Sequence, residues 1–104
     1  MIIHATKETF QKEVLEAEVP VLIDFWASWC APCRMQGQIL EKYQDKIDDS
    51  KAKICKVNVD EQPELAQQYG VMSIPTLVVV QNGKVKTQVT GVTQDAGLNR
   101  MLGL

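Results

Sequence analysis

The apolar positions of the chain change their period several times, and each change marks an element. Ile2-Ile3 opens with a short edge strand. Phe10, Val14 and Leu15 then recur at helical spacing among Lys and Glu. That predicts an amphipathic helix over residues 6–16, with Thr6 as its N-cap. Pro20 ends this segment and suits the start of a strand but not its interior. From Val21 to Trp26 apolar residues fall on both parities, the pattern of a strand covered on both faces, as in a parallel α/β sheet. Met35, Ile39, Leu40, Tyr43 and Ile47 restore the helical period over residues 32–48. Gln36, Gln38, Glu41, Lys42 and Asp45 fill the polar side of that helix. Gly37 weakens it by about 1 kcal/mol relative to Ala.

Residues 53–59 form a second long strand, and Pro63 starts a short helix carrying Leu65, Ala66 and Tyr69, closed by Gly70. The first two thirds therefore read β-α-β-α-β-α, which implies right-handed crossovers and parallel pairing. The last third changes character. Residues 76–81 and 84–89 flank Asn82-Gly83, a hairpin signal because both turn residues need positive φ. Thr93 is expected to cap a final helix with Leu98, Met101 and Leu102 on one face, weakened by Gly97 and Gly103.

A chain of 104 residues predicts one domain, residues 1–104, with one core. Its net charge of -2 argues against a nucleic-acid face. The N-terminus lacks a basic segment followed by an apolar one, so no secretory signal is read. Asp24 interrupts the longest apolar run, so no membrane span is read either. Three cysteines, two of them close together, fit a redox or metal pair in a reducing compartment better than a disulfide framework. The expectation is a cytoplasmic monomer.

The chemistry centres on Cys30 and Cys33, which follow a buried strand and stand at the expected start of a helix. A cysteine acts as its thiolate, and a helix N-terminus favours that form. At this spacing two sulfurs can close a small disulfide loop, one attacking a substrate disulfide and the other releasing the mixed disulfide. Two packed free cysteines are the plain alternative. A metal site of Cys30, Cys33, Cys55 and His4 is another, although the last two stand far from the pair in sequence. A binding module that uses the same fold without turnover is a third. His4 reads as an exposed terminal residue with no claim to a Cys–His hydrolase, and Cys55 as a small buried hydrophobe.

Asp24 inside an apolar strand implies a buried carboxyl with a raised pKa, able to exchange protons with a thiol. Lys56 on the next long strand either approaches it or is a solvated strand lysine. Pro75 in Ser73-Ile74-Pro75-Thr76 must begin its strand. Trp29 is either core or part of an apolar docking surface. There is no Gly-rich phosphate loop, and no cofactor is expected.

Together these residues closely resemble the thioredoxin family. Asp24-Phe25-Trp26-Ala27, Trp29-Cys30, Pro32-Cys33-Arg34, Lys56-Val57-Asn58-Val59-Asp60, Ile74-Pro75-Thr76 and Gly91 carry the likeness, in order, over almost the whole chain. The resemblance implies an α/β fold whose central mixed sheet joins a parallel βαβ half to a C-terminal hairpin, flanked by four helices. It implies Cys30 as attacking thiolate, Cys33 as resolving thiol and a Cys30–Cys33 redox disulfide. Asp24, with Lys56 nearby, would assist proton transfer at Cys33, and Pro75 would be cis and face the cysteines. Trp29, Ala31, Pro32, Val59, Ile74, Gly91 and Val92 would receive the substrate protein. The implied partners are a flavin-containing thioredoxin reductase and disulfide-bearing clients such as reductases and peroxidases. The chain departs from the family pattern at Ala31, where glycine is usual. It departs again at Gln38, preceded by Gly37, where a kinking proline is usual, and at Thr90, where the groove is more often aliphatic.

Overall fold

The computed structural model describes residues 1–104. The strands are β1 (Ile2–His4), β2 (Val21–Trp26), β3 (Lys53–Asn58), β4 (Thr76–Gln81) and β5 (Lys84–Thr90). The helices are α1 (Ala31–Tyr43), α2 (Pro63–Gln68) and α3 (Asp95–Leu102). Because β2 is apolar on both parities, it lies in the middle of the sheet, whose order is β1-β3-β2-β4-β5. β3 pairs in parallel with both β1 and β2, whereas β4 runs antiparallel to β2 and to β5. The parallel half and the hairpin thus meet at β2 and β4, in a mixed α/β sheet.

Alternate residues of β2 feed two cores. Val21, Ile23 and Phe25 pack with Phe10, Val14, Cys55 and Leu65 on one face. Leu22 packs with Leu40, Tyr43, Leu77, Leu98 and Met101 on the other. α1 and α3 therefore cover the face of β2 that also carries Asp24. At the far end of the sheet, Asn82 and Gly83 both adopt positive φ, as the tight turn between β4 and β5 requires.

Several boundaries differ from the pattern, each for a local reason. The first of the four expected helices is a short segment at Gln11–Leu15 with π-type winding, in which the Glu16 N–H donates to the Gln11 carbonyl. Thr6 does not cap it with its side chain, because Thr6 N–H donates to Thr9 Oγ1 in a turn of its own. α1 ends at Tyr43 and tightens into a 3₁₀ turn at Gln44–Lys46 rather than running to residue 48. Asp48 Oδ1 accepts from the Ser50 N–H, a turn that competes with continued helix. Gln36, assigned by its polarity to the solvated side of α1, is fully buried. Thr93 does not cap α3: Thr93 Oγ1 turns back to donate to the Gly91 carbonyl, and Gln94 takes the N-cap position.

The buried side chains of α1 are Cys33, Gln36, Leu40 and Tyr43, spaced three, four and three residues apart along one stripe. Tyr43 Oη donates to Asn99 Oδ1 at 2.6 Å and ties the end of α1 to α3. Leu40 is the aliphatic anchor of this stripe. Leu40→Ala is expected to cost about 2–5 kcal/mol, the range for a large-to-small change in a closed core, read by urea unfolding followed through Trp fluorescence.

Candidate active site

β2 ends at Trp26, and four residues later Cys30 occupies the N-cap of α1. Pro32 lies in the first helical turn, where its missing N–H removes no helical hydrogen bond. Cys30 keeps an extended conformation and its Sγ accepts from the Cys33 N–H at 3.2 Å, taking up one of the unpaired donors at the helix start. The two cysteines form a disulfide, with Cα atoms 5.2 Å apart. Cys30 is 6% exposed and Cys33 1%, so the first sulfur lies nearer the surface and the second beneath the helix. The Ile74–Pro75 peptide is cis, and the Ile74 carbonyl oxygen lies 3.8 Å from Cys30 Sγ. The helix start and the proline segment thus form two walls around the disulfide.

Asp24 is wholly buried and neither carboxyl oxygen has a hydrogen-bond partner. Burial raises its pKa from 3.8 to about 7, against the opposing pull of the Lys56 charge. Asp24 and Lys56 are directly opposite in the parallel β2–β3 register, on the α1 face. They form no ion pair. The Lys56 ammonium instead sits 4.5 Å from the centre of the Trp26 ring, so cation–π attraction holds it. Lys56 is half-buried, which removes the reading of a freely solvated lysine. A Cβ at Gly37 would lie 3.3 Å from Lys56 Nζ, so the glycine in α1 makes room for that ammonium.

An apolar groove of about 620 Å³ opens beside the disulfide. Trp29, Cys30, Ala31, Pro32, Val59 and Ile74 line it. Trp29 is 68% exposed and belongs to this surface rather than to the core. Its indole N–H donates to Asp60 Oδ2 at 2.8 Å, which tethers the ring at the groove. Gly91 and Val92 are half-buried and are not among the residues lining this cavity; the Gly91 N–H donates to the Pro75 carbonyl at 2.8 Å. The opposite rim is built by Ala66, Val71, Met72 and Ser73, which sequence reasoning missed. Met72 is 95% exposed and stands two residues before Ile74.

Cys55 lies in the core on the other face of the sheet, and His4 is exposed on β1, so neither joins the cysteine pair. Burial pushes the Cys55 thiol up to about 12. No three His, Cys, Asp or Glu side chains come together as a metal-binding group.

A disulfide at a helix N-terminus, with one sulfur near the surface beside an apolar groove, has exchange with other thiols and disulfides as its chemistry. That geometry defines the class of thiol–disulfide oxidoreductases. The comparisons agree. The thioredoxin family model matches residues 1–103. The chain is 49% identical over 87 residues to a thioredoxin of Chlorobaculum thiosulfatiphilum, covering 84% of this chain and 80% of that one. It is 43% identical over 98 residues to a thioredoxin of Rickettsia bellii, covering 94% and 92%. It is 43% identical over 97 residues to thioredoxin 1 of a Nostoc species, covering 93% and 90%. The chain belongs to the thioredoxin family, and is a dithiol–disulfide oxidoreductase acting on protein disulfides.

Two outcomes follow from the buried groups. Between about pH 4 and pH 7 folded Asp24 holds a proton that the unfolded chain has released, so stability falls as pH rises through that window. Above it the loss is complete, at about 4 kcal/mol. Asp24→Asn should therefore unfold at higher urea concentration than wild type near pH 9, with the margin closing near pH 4. In the reduced folded protein, iodoacetamide at about pH 8 should label Cys30 and leave Cys55 unmodified until denaturant is added.

Proposed function

We propose that this protein reduces disulfides in client proteins, with Cys30 as nucleophile and Cys33 as resolving thiol. The observation that carries this reading is the asymmetry of the pair. Cys30, the N-cap of α1, borders the groove, and Cys33 is shielded beneath the helix. In the dithiol form the Cys30 thiolate attacks one sulfur of a client disulfide. A mixed disulfide forms and a client thiolate leaves. Cys33 then gives its proton to the Asp24 carboxylate and attacks Cys30 Sγ. The Cys30–Cys33 disulfide closes, and the second client sulfur leaves and is protonated. Two electrons pass to the client.

A carboxyl with a pKa of about 7 is present in both protonation states near neutrality, which suits it to accept that proton. Lys56 supports the carboxylate once formed, by charge rather than by contact. Pro75 holds the Ile74 carbonyl beside Cys30 and, having no N–H, leaves that edge open to a client backbone. Trp29, Ala31, Pro32, Val59, Ile74, Gly91 and Val92 receive the client protein. A thioredoxin reductase restores the dithiol, and the protein works as a monomeric electron carrier in cytoplasmic redox homeostasis. No helix is long and apolar enough to cross a membrane. The methyl group of Ala31 stiffens the turn between the cysteines and is the position expected to set reductase docking apart.

With dithiothreitol as electron source, the wild type should accelerate insulin disulfide reduction, followed by turbidity. Cys30→Ser should abolish the acceleration, and Cys33→Ser should accumulate mixed disulfides with clients. Full activity of Cys30→Ser would overturn the assignment of the nucleophile. Full activity of Cys33→Ser would favour a binding module without turnover.

A further inference from the structure

Three polar or charged residues are buried: Asp24, Gln36 and Thr76. Asp24 has a place in the exchange reaction. Thr76 Oγ1 donates to the Ser73 carbonyl at 2.6 Å and closes the turn around Pro75. Gln36 has no task in the chemistry, yet a glutamine held wholly away from water needs a specific partner. It has one. Gln36 Nε2 donates to the Thr93 carbonyl at 3.1 Å, and the Thr93 N–H donates to Gln36 Oε1 at 2.7 Å. The side-chain amide thus pairs at two points with a single residue's backbone, as one strand residue pairs with another.

We propose that Gln36 is a positioning residue that fixes the proline wall of the site relative to the cysteine helix. Gln36 stands three residues after Cys33, on the same buried stripe of α1. From Thr93 the connection continues inward. Thr93 Oγ1 donates to the Gly91 carbonyl at 3.2 Å, and the Gly91 N–H donates to the Pro75 carbonyl at 2.8 Å. The Ile74 carbonyl, on the other side of Pro75, faces Cys30 Sγ. The path leaves the cysteines along α1 and returns to them through Pro75, closing a ring. Two hydrogen bonds to one backbone unit resist both sliding and rotation of the 91–93 segment, which one bond would not. Gly97 on α3 completes the seat. A Cβ there would lie 2.6 Å from Thr93 Cγ2, so a side chain at this position would force Thr93 to shift. The glycine that weakens α3 by propensity thereby holds the clamp in place.

This inference rests on the exchange reaction proposed above, and two substrates separate the two. Insulin must seat a peptide between the helix start and the proline wall, whereas 5,5′-dithiobis(2-nitrobenzoate) needs only an accessible Cys30 thiolate. Gln36→Met keeps length and removes the paired donor and acceptor. Its KM for insulin should rise on the order of tenfold, with kcat within about twofold of wild type. Its rate with the small disulfide should be unchanged, while amide hydrogen exchange at Thr93 and Gly91 accelerates. Should that variant fail to fold, Gly97→Ala leaves the glutamine intact, displaces Thr93 and should give the same split. Wild-type kinetics with both substrates, or a parallel fall in both that tracks lost stability, would overturn the role of Gln36. A wild type inert toward the small disulfide would instead overturn the exchange reaction itself.

Discussion

The hydrogen bond from the Cys33 N–H to Cys30 Sγ joins the two halves of the problem this chain solves. A sulfur can serve as N-cap only if its residue stays extended while the next one turns helical. That condition sets where β2 must stop and α1 must start. The same contact points the unpaired N–H groups of the helix at the atom that carries negative charge in the reduced form, favouring the thiolate. Strand, cap and reactive atom are therefore one constraint. The apolar stripe of α1 exists to hold that cap over β2, and the rest of the helix follows from it.

Within β2 the fold accepts an energetic loss at Asp24. A buried carboxyl with no hydrogen bond is an unfavourable place for a charge, and desolvation outweighs the attraction of Lys56. A direct ion pair would stabilise the carboxylate and draw its proton affinity down toward that of an ordinary acid. Seating the ammonium over Trp26 keeps the charge close enough to matter and too far to neutralise. The chain holds the carboxyl's proton affinity near neutrality at the expense of stability.

Much of this was legible in the residues. The two-parity run of β2, the Cys-x-x-Cys after it, Asn82-Gly83 and Pro63 announced their elements because each leaves a local sign. The cysteine pair and Asp24 announced a site because their chemistry conflicts with their surroundings. What stayed hidden was long-range. Gln36 reads as a surface residue, since its partner is a backbone distant in sequence. Thr93 reads as a cap, since a threonine before an apolar stripe does so unless its backbone is already engaged. Ala66 and Val71 read as scaffold, since only tertiary folding brings them beside Trp29.

The seclusion of Cys55 has a consequence for how the molecule keeps count. Its thiol stays protonated throughout the range in which the exchange pair operates, and its core position denies it a partner. Mild oxidation of thiols therefore meets one couple. The folded chain has no third cysteine free to enter a disulfide, nor can it be bridged through that thiol to a second copy. Its disulfide state is a single bit, open or closed.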